Sequence, residues 1–307
     1  MNTARDIMRQ PVIIILLTVC IATIGMLPVI AVFTLGQEER IVRDGALASC
    51  FLYGLFLVVA SSIASLSRQV RDGTAGMVLA KPVSRELFFA ATYCGIALVC
   101  FLFTAAGGMA ALLAVRMALA GIHTDWLVGG MLAAAFLLAF AAAGAANYRG
   151  YNFCSALFKT LLLCLLAALI IASFFGLDGQ LVAFGTLMRW RLVPSAFLVF
   201  GALAALSAIA LAFSARLVPA VVFFCCCLVF ILGMISEYLL VNLAGGGPLA
   251  GICAAALPDW QCFWVDEAFE KSGALGPGYF LRAGGYAVLY ISGALTLGML
   301  LFRNADA

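Results

Sequence analysis

The sequence predicts an all-α, polytopic membrane protein of about eight transmembrane helices. Three observations carry that reading. Of the 307 residues, 66% are hydrophobic and only 10% are charged. The mean hydropathy is +1.17. Apolar runs of about 18 residues or more recur along the whole chain, and as helices such runs cross a hydrocarbon core of about 30 Å. A helix satisfies its own backbone without water, and no alternating barrel pattern is present.

The runs lie near 11–35, 46–66, 87–115, 126–147, 155–176, 195–214, 218–242 and 284–302. Together they read as one transmembrane domain over 1–307. Arg5 and Arg9 precede the first run much as in a signal peptide. That run is too long for a signal h-region and has no clear small-x-small cleavage site, so it reads as a retained span. The small-residue stretches 132–146 and 201–212 predict close helix packing. Span interiors are nearly free of ionisable groups. Glu237, late in the seventh run, is the nearest candidate for a functional charge and reads as lying at the outer interface, while His123 reads as solvated in a short outside loop.

Lys and Arg set the orientation. One side holds Arg5, Arg9, Arg68, Arg71, Lys81, Arg85, Arg149, Lys159, Arg216 and Arg303. The other holds Arg40, Arg43, Arg116, Arg189, Arg191, Lys271 and Arg282. The bias places both termini in the cytoplasm. A net charge of +3 with no clustered basic face excludes a nucleic-acid partner.

Several chemistries are excluded as well. Lys81, Lys159 and Lys271 follow Ala, Phe and Glu, so the Gly-Lys step of a phosphate-binding loop never occurs. A single histidine rules out a two-histidine zinc helix. Catalytic, cofactor-binding and metal-binding residues are expected to be none. Most of the 11 cysteines sit inside apolar runs, where they act as small hydrophobes. Cys253 and Cys262 fall together in a loop outside the membrane and are candidates for a disulfide if that side is oxidising.

The segment "RQVRDGTAGMVLAKPVSREL", 68–87, is a polar interruption between two spans. Thr74 is a good N-cap, so 75–80 predicts a helix of about two turns, roughly 9 Å long. Lys81 precedes Pro82, which stops it. Ser84 can cap the next helix, with Glu86 in its first turn. Two readings stand on these residues alone: a docking helix, and a well-capped loop that only obeys the charge rule.

The order Gly73-Thr74, Leu79, Lys81-Pro82-Val83-Ser84-Arg85 resembles the coupling segment of permease subunits of type-2 ATP-binding-cassette (ABC) exporters. Gln69 and Arg71 stand where that family usually has glutamates, and Ala91-Thr92 where it opens the third span with Gly-Lys. Weaker likenesses are the amphipathic lead-in "ARDIMRQPVIIILL", the serine-containing hairpin "LAFSARLVPAVVF" (211–223) and the late loop "LPDWQCFWVDEAF" (257–269). The family usually has six spans, which makes 126–176 an inserted helical pair.

The resemblance implies a permease subunit in a bacterial cytoplasmic (inner) membrane. It implies a partner ATP-binding subunit that holds ATP and Mg, and a second permease, identical or related, to complete the pathway. Membrane lipid surrounds the whole. The ATPase-docking residues would be Gly73, Thr74, Met77, Val78, Leu79, Lys81, Pro82, Ser84 and Arg85. The large extracytoplasmic loop, 243–283, carries interfacial aromatics. Trp260, Phe263 and Trp264 are candidates for an outer gate within a short helix over 258–270. The competing expectation is that they only anchor the loop. Two competing functions are a membrane-embedded enzyme acting on a lipid-linked substrate and a non-transporting scaffold.

Overall fold

The computed structural model describes residues 2–31, 36–67, 85–119, 125–176, 179–242, 258–263 and 277–303. Among them the long elements are helices: α1 (Asn2–Met8), α2 (Pro11–Ile30), α3 (Glu38–Ser62), α4 (Arg85–Ala118), α5 (Trp126–Tyr148), α6 (Phe153–Ala172), α7 (Leu192–Ser214), α8 (Pro219–Asn242) and α9 (Pro277–Arg303). Seven of these, all but α1 and α8, are long and apolar enough to cross a membrane. α8 is apolar from Pro219 to Ile235 and continues to Asn242. The protein is therefore all-α and polytopic.

Helix ends depart from the apolar runs. α3 begins at Glu38 rather than near residue 46, and α9 at Pro277 rather than near 284. Hydropathy marks where apolar residues begin, whereas a helix continues wherever its first turn is well built. Glu38 and Glu39 sit in the first turn of α3, where the macrodipole favours anions. Arg40 and Asp44, one turn apart, pair at 3.7 Å. A proline opens α9, where its missing N–H costs nothing. α7 starts at Leu192 and tolerates Pro194 in its first turn for the same reason.

The contacts divide the chain into two compact units, Met1–Leu57 with Leu98–Phe197, and Val58–Ala97 with Leu198–Ala307. In the first unit α5 and α6 form an antiparallel hairpin. Val128, Leu132, Ala135, Ala139 and Ala143 make a single buried stripe on α5. The alanines let the backbones approach so closely that Thr160 Oγ1, on α6, donates to the Ala139 carbonyl at 3.2 Å. The connecting turn needs a left-handed residue, supplied by Gly150 at φ +84°. Asn152 Oδ1 then accepts from Ser155 N–H at 3.2 Å and caps α6. α1 buries Ala4, Ile7 and Met8 and leaves Arg5 and Arg9 exposed, packing on α2 and α6.

In the second unit α7 is central. From Ala202 to Ala212 every residue is buried. Tyr93 donates its hydroxyl proton to the Ala204 carbonyl at 3.2 Å. Ser214 Oγ donates back to Ala210 O at 2.7 Å in the last turn of α7, and Arg216 Nε, just after that helix, donates to Leu301 O on α9 at 3.1 Å.

Close helix approaches occur at particular glycines. A Cβ on Gly107 would lie 2.7 Å from Cys50 Sγ, and one on Gly298 would lie 2.6 Å from a ring carbon of buried Phe89. Gly130 and Gly144 have nothing within 4 Å. Gly107→Leu and Gly298→Leu should each cost about 1–3 kcal/mol through overpacking, read as a lowered thermal midpoint in detergent. Gly144→Leu should stay within about 0.5 kcal/mol of the native protein. Equal losses at all three positions would show that these contacts do not limit the packing.

Candidate functional site

Three places bear on function. The first is the interruption between α3 and α4. Gly73, Thr74, Met77, Val78, Leu79, Lys81, Pro82 and Ser84 lie outside the described residues, and so does the short helix expected over 75–80. Its two flanks are described. Arg85 opens α4 with Glu86 in the first turn, as expected. On the other flank α3 loosens into a π-helical turn, Ile63–Ser67. Ser61 Oγ donates to Val58 O at 2.9 Å and Ser65 Oγ to Ser61 O at 2.7 Å. Such hydroxyls compete with the backbone ladder and bend helices. Ser62 Oγ is buried there without a hydrogen-bond partner among the described residues. π turns of this kind concentrate at functional positions.

The second place is 258–263, a short strap in the second unit. The helix expected over 258–270 is, in its described part, a single 3₁₀ turn, Gln261–Phe263. Asp259 Oδ1 accepts from Gln261 N–H at 2.9 Å and caps that turn. Trp260 and Phe263 are 3% and 5% exposed. Trp260 lies beside Phe230 with ring centroids 6.4 Å apart, and its Nε1 donates to Val229 O at 3.5 Å. It fits because residue 233 is glycine: a Cβ there would come within 2.4 Å of Trp260 Nε1 and of Pro258 O. Phe263 packs near Gly201 and Ala287 and lies 6.1 Å from the Tyr286 ring.

Polar contacts fasten the same strap. Tyr286 Oη accepts from Asp259 N–H at 2.9 Å, and Tyr279 donates its hydroxyl proton to Cys262 O at 2.7 Å. The Cys262 thiol donates to Asp259 Oδ2 at 2.9 Å. Trp264 and Cys253 lie outside the described residues, so neither the third gate aromatic nor the candidate disulfide is placed. His123 is likewise outside them, and so is the Glu237 side chain. The strap docks on α7, α8 and α9, with Trp260 and Phe263 packed against them.

The third place is the end of α4. Arg116, placed by the charge rule on the side opposite the termini, sits in the last turn of α4 and is 1% exposed. Its Nη1 donates to Ala172 O and its Nη2 to Phe175 O, capping the end of α6. Nη2 also lies 3.9 Å from Asp125 Oδ2, whose side chain is 5% exposed. Asp125 Oδ1 in turn accepts from Leu127 N–H at 3.1 Å and Val128 N–H at 3.4 Å, the N-cap of α5. Asp125 N–H bonds Met117 O at 3.2 Å. One ion pair thus joins the ends of three helices. The signal available in the sequence was Asp125 directly before Trp126, a capping pattern, nine residues after an arginine that is itself followed by Met117-Ala118-Leu119.

The same end carries an ordered connection after α6. Phe174, Phe184 and Trp190 stack in series at 5.2 and 6.1 Å. Arg189 reaches Glu39 with two contacts, at 2.7 and 3.0 Å. Among the described residues no group of three or more His, Cys, Asp or Glu side chains converges to hold a metal. Compared with protein-family models, with curated proteins and with solved structures, the chain matches none.

Two outcomes follow from this geometry. Arg116→Met leaves Asp125 buried without its counter-charge and should cost about 3–5 kcal/mol. Combining it with Asp125→Asn should cost less than the sum of the single changes, with a coupling of about 1–3 kcal/mol in an unfolding cycle; strictly additive losses would show that the two groups do not act together. Separately, Gly233→Val drives a side chain into Trp260 and should release the strap. Limited proteolysis should then cut between 251 and 276 faster than in the native protein. An unchanged cleavage rate would mean that Trp260 does not hold the strap.

Proposed function

We propose that the chain is the membrane-spanning permease subunit of an ABC exporter, driven by ATP hydrolysed in a separate subunit. The observation that carries this is the sequence run from Gly73-Thr74 to Lys81-Pro82-Val83-Ser84-Arg85, which resembles that family's coupling segment. It connects two helices that are both long and apolar enough to cross a membrane. A docking element must sit between two spans so that a push from a soluble partner moves both. The π turn at Ile63–Ser67, immediately before the segment, supports the reading because it loosens one of the two arms.

In this reading 68–87 faces the cytoplasm and enters a cleft of the ATPase subunit. Met77, Val78 and Leu79 supply apolar contact, and Lys81 and Arg85 flank it with charge. The 258–263 strap and the Arg116–Asp125 pair then lie on the outer side. The strap would have to leave α7, α8 or α9 if it gates release, and Trp264 with the residues after it would move along. A second permease, identical or related, completes the pathway, because one such chain lines half of it. Substrate is carried to the outer side by alternation between inward- and outward-open states, in a bacterial inner membrane. With Arg116 already paired and capping a helix, the spans offer little charge, which favours a hydrophobic or amphipathic cargo.

The test is direct. Arg85→Glu, or acidic residues at 77–79, should abolish co-purification with a nucleotide-binding subunit of the host, or uncouple its ATP turnover from transport, while membrane insertion persists. Unchanged co-purification together with unchanged ATP turnover would overturn the docking assignment.

A further inference from the structure

The α5–α6 hairpin and α1 enclose an open cavity of about 390 Å³ that neither the transport reading nor the sequence motifs account for. Arg5, Arg9 and Lys159 line it, with Tyr151, Asn152 and Ser155. Among the described residues none of the three cations has an ion pair or a side-chain hydrogen bond. The Tyr151 and Ser155 hydroxyls have no side-chain partner among them either. Asp6, exposed on α1, does not line the cavity. The site is thus rich in unused donors and holds no carboxylate.

Its position says which anion it meets. It lies where α5 ends at Tyr148 and α6 begins at Phe153. Tyr148, 94% exposed, and exposed Tyr151 flank it, as aromatics do at the level of lipid headgroups. Lys159 lies one and a half turns into α6 and raises its ammonium along the helix toward that level. Ser155 and Lys159 share one face of α6, and the next positions on that face are exposed and apolar: Leu163, Leu166 and Ile170. Donors at one end and a bare apolar strip below them have the shape of a single lipid molecule. Basic pockets between membrane helices take such headgroups.

We infer that this cavity binds the phosphate of an anionic phospholipid headgroup, with the acyl chains lying along Leu163, Leu166 and Ile170. The chemistry it shares with a free phosphate is the oxyanion, and the apolar strip assigns the lipid. The inference rests on the chain crossing a bilayer and is independent of the transport reading.

The experiment uses the full chain in detergent, titrated with dioleoylphosphatidylglycerol or dioleoylphosphatidylcholine, with retained lipid counted by native mass spectrometry. The anionic lipid should be retained in preference to the zwitterionic one. Lys159→Gln should weaken retention about fivefold, and the Arg5→Gln/Arg9→Gln/Lys159→Gln variant on the order of a hundredfold. Lys159→Arg should keep it. Arg149→Gln, a cation near the same turn but outside the cavity lining, should change nothing and serves as the control for diffuse charge. Equal retention of both lipids, no loss in the triple variant, or an equal loss in Arg149→Gln would overturn the site. Displacement of the lipid by inorganic phosphate would overturn its assignment to a lipid.

Discussion

A guanidinium that cannot reach water sets the arrangement of the first unit. Arg116 is too deeply buried to be hydrated, and an unpaired charge in that position is expensive. It is made tolerable by three partial or full negative charges: the carbonyls of Ala172 and Phe175 and the carboxylate of Asp125. The planar fork of arginine can address all three at once, which an ammonium cannot. Asp125 in turn is held by the N–H groups that begin α5. The pair therefore complements two helix macrodipoles, the positive start of α5 and the negative end of α6. The ends of α4, α5 and α6 are fixed to one another by electrostatics. The alanine stripe of α5 then lets its partner α6 lie close along its whole length.

The second unit solves a different problem, that of seating a polar loop on apolar helix ends. A loop over helix ends carries backbone groups that need partners. Here tyrosines on α9 supply them, Tyr286 accepting from Asp259 and Tyr279 donating to Cys262. The apolar part of the loop goes into gaps left by missing side chains, Trp260 against Gly233 and Phe263 against Gly201. Small residues in helices thus do two jobs in this chain: at Ala139 they admit another helix, and at Gly233 they admit a loop.

Much of the fold was legible in the sequence because hydrocarbon is a demanding solvent. Long apolar runs located the spans, and the helical pair expected over 126–176 forms a hairpin, α5 with α6. The helix ends were not legible in the same way. Glu38 and Glu39 extend α3 by favourable first-turn electrostatics that a hydropathy window counts as loop. The burial of Arg116 was hidden for the same reason, since a charge directly after an apolar run looks like the start of a loop. Only the carbonyls of α6, some 56 residues away in sequence, explain why it stays inside. The basic cavity was equally hidden: Arg5 and Arg9 meet Lys159 only when α1 folds onto α6. The 68–87 segment is the opposite case, since the docking role proposed for it rests on the succession of residues in the sequence alone, from Gly73 to Arg85.

The central claim is that this segment inserts into an ATPase. A photo-activatable cross-linker placed at Leu79 in the membrane of the native host tests it most directly, with the adduct identified by mass spectrometry. The account predicts a cross-link to a nucleotide-binding ABC subunit whose yield changes when ATP is depleted. Cross-links to lipid alone, or to proteins that bind no nucleotide, would contradict it.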